Sequence, residues 1–132
     1  MNIMTNRINM KSWRDKIISS KKSSVMLIMT HPGIELIGQN VEQAVTCGNV
    51  HADAIIKLAD TFDNIALTMI MDLSLEAEAF GAKINFATNE VPSVIEPLLK
   101  DFTDIDNLEI PNLTNGRIPE YIKANAIVLE HL

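Results

Sequence analysis

The sequence predicts an α/β fold in which buried strands alternate with helices, and three observations support this prediction. Two apolar runs of strand length, 25–29 and 65–71, are separated by segments with helical spacing. Neither run has the regular polar alternation of a strand with one solvated face, so we expect both to be buried as in a parallel sheet. Each run is followed at once by a polar residue and then by another helical pattern.

The first predicted helix covers residues 10–19, after an amino terminus, residues 1–9, that is polar and expected to be loose. Met10, Trp13 and Ile17 lie at helical spacing and indicate an amphipathic helix. The first predicted strand, 25–29, comes next.

The region between the two strands predicts helices only. Residues 33–46 indicate one or two helical turns and then a short helix, which Gly48 is expected to end. A longer helix follows, capped by Asn49 and ending near Phe62. Its apolar stripe is formed by Ala52, Ile55, Ile56 and Ala59.

The second half of the chain begins with a helix over 72–81 that Gly81 ends, followed by a short strand at 83–86. The last helix begins at Ile118, with Pro119 in its first turn, and runs to the final residue. Between them, residues 87–118 are predicted to be mostly connection, with one short helix at 96–102.

A sheet of two strands and a weaker third is too small to close a core with helices on both faces. The sequence therefore predicts the leading part of a larger barrel or sheet, preceded by one helix. Residues 10–132 are expected to form this incomplete domain.

Composition excludes several classes of protein. The chain has 132 residues, 47% of them hydrophobic, which is typical of one globular domain. Its net charge of −6 argues against nonspecific nucleic-acid binding. A single cysteine excludes an internal disulfide, and no apolar run approaches the roughly 20 residues of a membrane span. We expect a soluble cytoplasmic protein.

Asp72 follows the second strand directly and is the first candidate for a functional residue. Sites in parallel α/β folds gather at the carboxyl ends of the strands, where an acid faces the ligand. The local alternative is an N-cap of the helix that follows, a role that Ser74 could share. Position alone favours the cap.

His31 is the second candidate, because it follows the first strand by two residues in "MTHPG". Imidazole titrates near neutral pH, and Pro32 and Gly33 form a tight corner that fixes its direction. The alternative is a loop histidine without a role. If the two strands are neighbours, His31 and Asp72 open into one mouth.

Other groups of polar residues are weaker candidates. Asp72 and Glu76 lie four residues apart and can share a helix face, although a solvated face is the simpler interpretation. Cys47 and His51 offer two ligands where zinc needs about four, so no metal site is predicted and Cys47 is interpreted as an apolar filler.

Four segments resemble one known family: "VMLIMTHPGIELIG", "HADAIIKLADTF", "TMIMDLSLEAEAFGAKINFATNEVPSVIEPLL" and "GRIPEYIKA". Together they are similar to the front part of the uroporphyrinogen decarboxylase superfamily, and more narrowly to its corrinoid-linked methyltransferases. The resemblance implies an incomplete (β/α)8 TIM barrel, with Asp72 at the family's mouth-facing aspartate. It thereby favours the functional acid over the cap. In the decarboxylases that aspartate is understood to bind the pyrrole N–H groups of the substrate.

The resemblance also separates two branches of the family. The decarboxylases carry an arginine-rich motif after the first strand, where this chain has "THPGIEL" with His31 at the place of the first arginine. A substrate with eight carboxylates would meet no cation there. The absence of this arginine-rich motif favours the methyltransferase branch over decarboxylation of a porphyrinogen in porphyrin metabolism. A third alternative is an inactive or partner-dependent partial barrel.

The methyltransferase branch implies a methylcorrinoid (cobalamin-type) donor on a partner corrinoid protein and a thiol or tetrahydrofolate acceptor. It also implies a zinc ion, for which no ligand is identified in this chain. We expect Asp72 and His31 to line the mouth, with Asp72 orienting the corrinoid or acceptor and His31 contacting substrate or relaying a proton. Self-association through an open barrel edge is a further expectation. The predicted substrate-binding residues are Met29, Gly33, Met71 and Glu76.

Overall fold

The computed structural model describes residues 8–26, 28 and 31–131. Helices predominate, and the only strand ladder among the described residues is one short hairpin. The elements in chain order are α1 (Met10–Ser19), α2 (His31–Leu36), α3 (Val41–Thr46), α4 (Gly48–Thr61), α5 (Ser74–Ala79), β1 (Ile84–Ala87), β2 (Glu90–Val94), a 3-10 helix (Phe102–Asn107) and α6 (Ile118–His131).

The two longest packed helices, α4 and α6, form one half of the core. Their contact buries Ala52 and Ile55 of α4 against Ala124 and Val128 of α6. The small side chains let the helix axes approach closely. Gly48 marks the tightest point, because a Cβ at this position would lie within 2.4 Å of the carbonyl oxygen of Glu120.

The other half of the core lies where α2 and α3 pack against α4. Ile34, Ala44, Val45 and Ala54 are nearly inaccessible to solvent here. Gly33 allows this contact, since a Cβ on it would meet the Ala54 carbonyl oxygen at 2.3 Å. The sequence-predicted helices at 10–19, 33–46 and 118–132, and the stripe on α4, are confirmed over the described residues.

Strands β1 and β2 pair antiparallel, with Ile84 opposite Val94, Asn85 opposite Ser93 and Ala87 opposite Glu90. The predicted short strand at 83–86 is thus confirmed as β1, one residue later. Its partner, β2, lies inside the predicted connection 87–118. The mixed helix and strand composition is as predicted, but the ladder is antiparallel rather than parallel.

Among the described residues, neither apolar run forms the predicted strand ladder. Residues 65–71 join no ladder, although alternate side chains pack in both halves of the core: Leu67 and Met69 contact the α4–α6 half, and Ile70 contacts the other. Val25, Met26 and Ile28 are exposed, and Leu27 and Met29 lie outside the described residues.

Among the described residues, one backbone hydrogen bond joins the two runs, from the Ile65 N–H to the Val25 carbonyl at 3.4 Å. Strand ladders require a continuous row of such bonds between neighbouring segments. The apolar composition of 65–71 correctly predicted that part of this segment is buried. A sheet also requires neighbouring strands, which composition alone does not predict.

Three local predictions are wrong. Gly48 does not end a helix but begins α4, and Asn49 is not its cap. The Gly48 N–H donates instead to the Glu120 carboxylate at 2.6 Å, so the cap comes from α6. The helix expected at 96–102 is a 3-10 helix at Phe102–Asn107, because Asp101 and Asp104 form a reciprocal capping box there.

The expected loose terminus, residues 1–9, lies outside the described residues except for Ile8 and Asn9, and Asn9 caps α1. Over the described ranges, no helix has both the length and the apolar character needed to cross a membrane. Gly81 ends α5 as predicted, with a φ of +102° that glycine adopts without strain.

Candidate functional site

Asp72 lies where the segment 65–71 meets α5, and its side chain is completely buried. Oδ1 accepts hydrogen bonds from the Ser74 N–H at 2.9 Å and from the Ser74 hydroxyl at 2.6 Å. These two bonds form a local turn that starts α5. The N-cap residue of α5 is Leu73, so Asp72 is not the predicted N-cap, although it forms a turn with the first helical residue.

The second carboxylate oxygen of Asp72 is held from much farther along the chain. Arg117, just before α6, donates from Nη1 to Asp72 Oδ2 at 2.5 Å and from Nη2 to the Ser74 hydroxyl at 2.9 Å. Its Nε donates to Glu78 Oε2 at 2.6 Å. The guanidinium thus pairs with two carboxylates while being itself almost completely buried.

Arg117 also joins elements that are distant in sequence. Its Nη1 reaches the Val45 carbonyl at 3.3 Å, and its guanidinium carbon lies 4.9 Å from the centre of the Phe86 ring. One side chain therefore connects α3, the start of α5 and β1 to the start of α6. The fixed fork of guanidinium donors makes such a many-sided contact possible.

Tyr121 and His51 complete the surroundings of Asp72. The Tyr121 hydroxyl donates to Asp72 Oδ2 at 3.1 Å. Its ring meets the His51 ring edge to face, with centres 4.8 Å apart. His51 Nε2 accepts a hydrogen bond from the Ile70 N–H at 3.0 Å, so this nitrogen carries no proton. We refer to Asp72, Ser74, Glu78, Arg117 and Tyr121 as the Arg117 network.

The hydrogen bonds of the Arg117 network favour the ionised forms of Asp72 and Arg117. Burial opposes ionisation of Asp72, but hydrogen bonds from the Ser74 hydroxyl, Arg117 and the Ser74 N–H outweigh it and lower the pKa of Asp72. Burial likewise disfavours the charged guanidinium, yet the bonds to Asp72 and Glu78 raise the pKa of Arg117. The pair is therefore ionised near neutral pH.

The two neighbouring aromatic side chains are held neutral. Burial lowers the pKa of His51 to about 4, against the opposing attraction of the Asp72 charge. Burial, together with the negative charge of Asp72, raises the pKa of Tyr121. Near neutral pH the site thus consists of a fixed ion pair flanked by a neutral hydrogen-bond donor and a neutral acceptor.

His31, the second sequence-predicted candidate, lies elsewhere. It is exposed at the start of α2 and lines a small cavity of about 130 Å³ with Ile34, Glu35, Gln39, Asn40, Val41 and Asn89. Among the described contacts, none joins His31 to Asp72 or to any member of the Arg117 network. The predicted common mouth of His31 and Asp72 remains a prediction.

The other predicted site residues have varied surroundings. Gly33 is buried at the contact of α2 with α4, Met71 is 64% exposed, and Glu76 is exposed on α5. Met29 lies outside the described residues. On α5 it is Glu78 rather than Glu76 that contacts the network.

Sequence reasoning assigned no role to Arg117 and Tyr121, and considered His51 only as a ligand beside Cys47. One signal could have found Arg117: an acid expected to be buried needs a cation, and "GRIPEY" places an arginine immediately before a helix. Periodicity alone could not have found the pairing, since the two residues are 45 positions apart.

The described part of the chain does not bring the side chains of a metal site together. Within the described ranges, no group of three or more His, Cys, Asp and Glu side chains could hold a metal ion. Cys47 is half-buried. The donors present therefore do not fit the zinc ion that the family resemblance implies.

Comparison with known proteins gives a consistent result. The family model described as uroporphyrinogen decarboxylase (URO-D) matches residues 24–132. The methylcobamide:CoM methyltransferase MtbA of Methanosarcina mazei is 34% identical over 101 residues, which cover 68% of this chain and 30% of that protein. The predicted similarity to the methyltransferase branch is thereby confirmed.

The fold of this chain is also similar to that of a solved methyltransferase structure. A methyltransferase from Methanosarcina mazei matches with a TM-score of 0.68 and 26% sequence identity, over 83% of this chain and 33% of that one. The chain thus spans about a third of the length of the two methyltransferases that it matches.

Proposed function

Because the chain belongs to the uroporphyrinogen decarboxylase family, we propose that it supplies the leading third of a methyltransferase that acts on a methylated corrinoid. The observation that carries this proposal is its similarity to two methyltransferases, one of them named for methylcobamide and CoM. The proposed donor is a methylcorrinoid bound to a partner protein in the cytoplasm. The proposed acceptor is a thiol of the CoM type, with tetrahydrofolate as the alternative.

The proposed architecture is the opening part of a (β/α)8 barrel, in which 65–71 would become a strand once neighbours pair with it. The open groove beside this segment supports the proposal. It has a volume of about 600 Å³, and Leu67, Met69, Trp13 and Val128 are among its mostly apolar lining residues. A barrel strand with an unpaired edge would leave such a groove.

Asp72 is proposed to act by its charge and not by proton transfer. Its pKa is lowered, so it does not gain a proton near neutral pH. At the carboxyl end of a barrel strand the carboxylate would face the ligand. The hydrogen bond from the Tyr121 hydroxyl is the longest that Asp72 accepts, at 3.1 Å. A ligand N–H or O–H group would therefore displace this partner first.

His31 is proposed as a separate contact for substrate. It is exposed and borders its own cavity, next to the amide side chains of Gln39, Asn40 and Asn89. Gly33, Met71 and Glu76 remain proposed neighbours of the ligand. No step is assigned to zinc, because the described residues offer no fitting ligand set.

Decarboxylation of a porphyrinogen is supported less well. A substrate with many carboxylates needs free cations, but α2 contains none. Arg117 is buried and already pairs with Asp72 and Glu78. The described part of the chain therefore offers no unpaired arginine near Asp72.

The proposal can be tested by complementation. The chain is mixed with the Methanosarcina mazei relative from which the matching segment has been deleted, and demethylation of methylcobalamin is followed by absorbance with CoM or tetrahydrofolate as acceptor. We expect methyl transfer from the mixture and none from either part alone. Asp72→Asn should reduce it, whereas Asp53→Asn, on the exposed face of α4, should not.

Two results would contradict the proposal. Folded parts that associate without transferring a methyl group would favour an inactive partial barrel. Turnover of uroporphyrinogen III by the same mixture would favour the decarboxylase.

A further inference from the structure

Residues 98–113 present an unusual number of apolar side chains to solvent. Phe102 is 89% exposed and Ile110 is 91% exposed. Scattered exposed apolar residues need no explanation, but a group on one segment marks a surface that something else covers. The further members of the group are Leu98, Leu99, Ile105 and Leu113.

Several of these side chains border one cleft. Its volume is about 460 Å³, and it lies between the end of α5 and the segment 98–112. Its apolar lining includes Phe80, Leu98, Leu99 and Ile110, and Asp104 and Glu109 add carboxylates. The rest of the lining is largely polar, so the cleft suits a lysine or arginine whose apolar stem packs against these side chains while its charge meets the carboxylates.

The segment holds its shape by its own polar contacts. Asp101 accepts hydrogen bonds from the Thr103 N–H at 2.8 Å and from its hydroxyl at 2.5 Å. Asp104 accepts from the backbone N–H groups of Lys100 and Asp101 at 2.7 and 3.2 Å. A surface ordered in advance loses less conformational entropy on binding.

Charge identifies the kind of partner. Residues 98–113 contain four carboxylates (Asp101, Asp104, Asp106 and Glu109) and one Lys100, a net charge of −3. A second copy docking symmetrically would bring two such faces together, and like charges disfavour that contact. A partner that presents lysine or arginine together with apolar side chains is complementary.

The surface also lies next to the Arg117 network. The Asn115 side chain, which borders the cleft, donates to the Ala79 carbonyl at 3.2 Å. Two residues later Arg117 pairs with Asp72. A protein bound at the cleft would therefore stand beside the candidate site.

We propose that residues 98–113 and the cleft behind them form the docking surface for the corrinoid-carrying protein, which would insert a lysine or arginine side chain into the cleft and cover the exposed apolar residues beside it. This inference rests on the proposed function, because it takes the partner to be the methyl donor. It adds where that partner binds and which chemistry selects it.

The test uses a corrinoid protein of Methanosarcina mazei as the probe and measures its affinity for this chain by calorimetry at low and high salt. We expect Ile110→Ser and Glu109→Lys each to weaken binding by about tenfold, a change typical of a central interface residue. Higher salt should weaken wild-type binding and have less effect on Glu109→Lys. Ile18→Ser on α1 and Glu130→Lys on α6 are the matched controls and should leave binding unchanged.

The outcomes separate the docking surface from the proposed function. Binding that is lost in the two variants, when the mixture with the truncated relative transfers no methyl group, supports the surface and contradicts the function. Methyl transfer from free methylcobalamin, with equal corrinoid-protein affinity in all variants, overturns the surface and leaves the function standing. Absence of wild-type binding overturns the surface, and so does a dimer of this chain that Ile110→Ser converts to a monomer.

Discussion

The Arg117 network and the segment 98–113 are opposites in how they use polar and apolar groups. The network buries two ionised side chains, Asp72 and Arg117, and gives each several hydrogen bonds. The segment exposes large apolar side chains, of which Ile110 is the most accessible. Each arrangement is costly in an isolated chain unless partners compensate it.

The difference lies in where the compensating partners are. Those of Asp72 are all within the chain: Ser74 on α5, Arg117 just before α6 and Tyr121 on α6. No residue in the described part of the chain covers the Ile110 side chain. Substitutions in the network should therefore change the free energy of unfolding, and substitutions in the segment should change binding.

Arg117→Ala should produce the largest effect, because it leaves Asp72 buried without its cation. Removing one partner of a buried pair costs about 3–5 kcal/mol. Urea unfolding monitored by circular dichroism measures the change. Arg14→Ala is the control, since Arg14 pairs with Asp15 on the surface and should matter little. A loss below about 1 kcal/mol in Arg117→Ala would contradict the importance of the pair.

Acid should destabilise the fold through His51. Its pKa is about 4 in the folded chain and near 6.5 in the unfolded chain, so only the unfolded chain binds a proton between these values. Stability is then complete above pH 6.5 and falls as the pH approaches 4, by about 3 kcal/mol. The lowered pKa of Asp72 adds a further loss at lower pH.

Urea unfolding at pH 7.0, 5.5 and 4.5 measures this dependence. His31→Gln should leave it unchanged, because His31 is exposed. A curve that is flat between pH 7.0 and 4.5 in the wild-type chain would show that His51 does not remain neutral.

Tyr121→Phe should have a smaller effect, since it removes one hydroxyl and leaves the ring against His51. A hydrogen bond to a charged group contributes about 1.5–3 kcal/mol. Unfolding of Tyr121→Phe, Asp72→Asn and the double variant would give the coupling energy of the two groups. Strictly additive losses would mean that the 3.1 Å contact contributes nothing.

Ile110→Ser should have the smallest effect on stability, within about 0.5 kcal/mol, because the side chain is exposed. Thermal and urea unfolding of the variant test this directly. A large loss would place Ile110 in the intramolecular core and remove the contrast between the two regions.

Local signals in the sequence predicted the helices well. The stripe on α4, the glycine that ends α5 and the spacing of α1 depend on residues within one or two turns of each other. Asp72 was found by its position after an apolar run. Its partner Arg117 was not found, because pairing across 45 positions depends on how α5 and α6 pack.

The strands were predicted least well for a related reason. Residues 25–29 and 65–71 have the composition of buried strands, but a strand exists only where neighbouring backbones complete its hydrogen bonds. Among the described residues of the two runs, Val25 and Ile65 share the one backbone bond. Only β1 of the hairpin was predicted, because the proline in β2 is more typical of a connection than of a strand.

The contact between Glu120 and Gly48 has a consequence for the order of folding. The first turn of α4 takes its cap from a residue 72 positions later. During synthesis, α4 can therefore start to form but cannot fix its beginning until α6 has been made and has docked. Deuterium exchange at the Gly48 amide should accordingly report the arrival of α6, and not the formation of the helix to which Gly48 belongs.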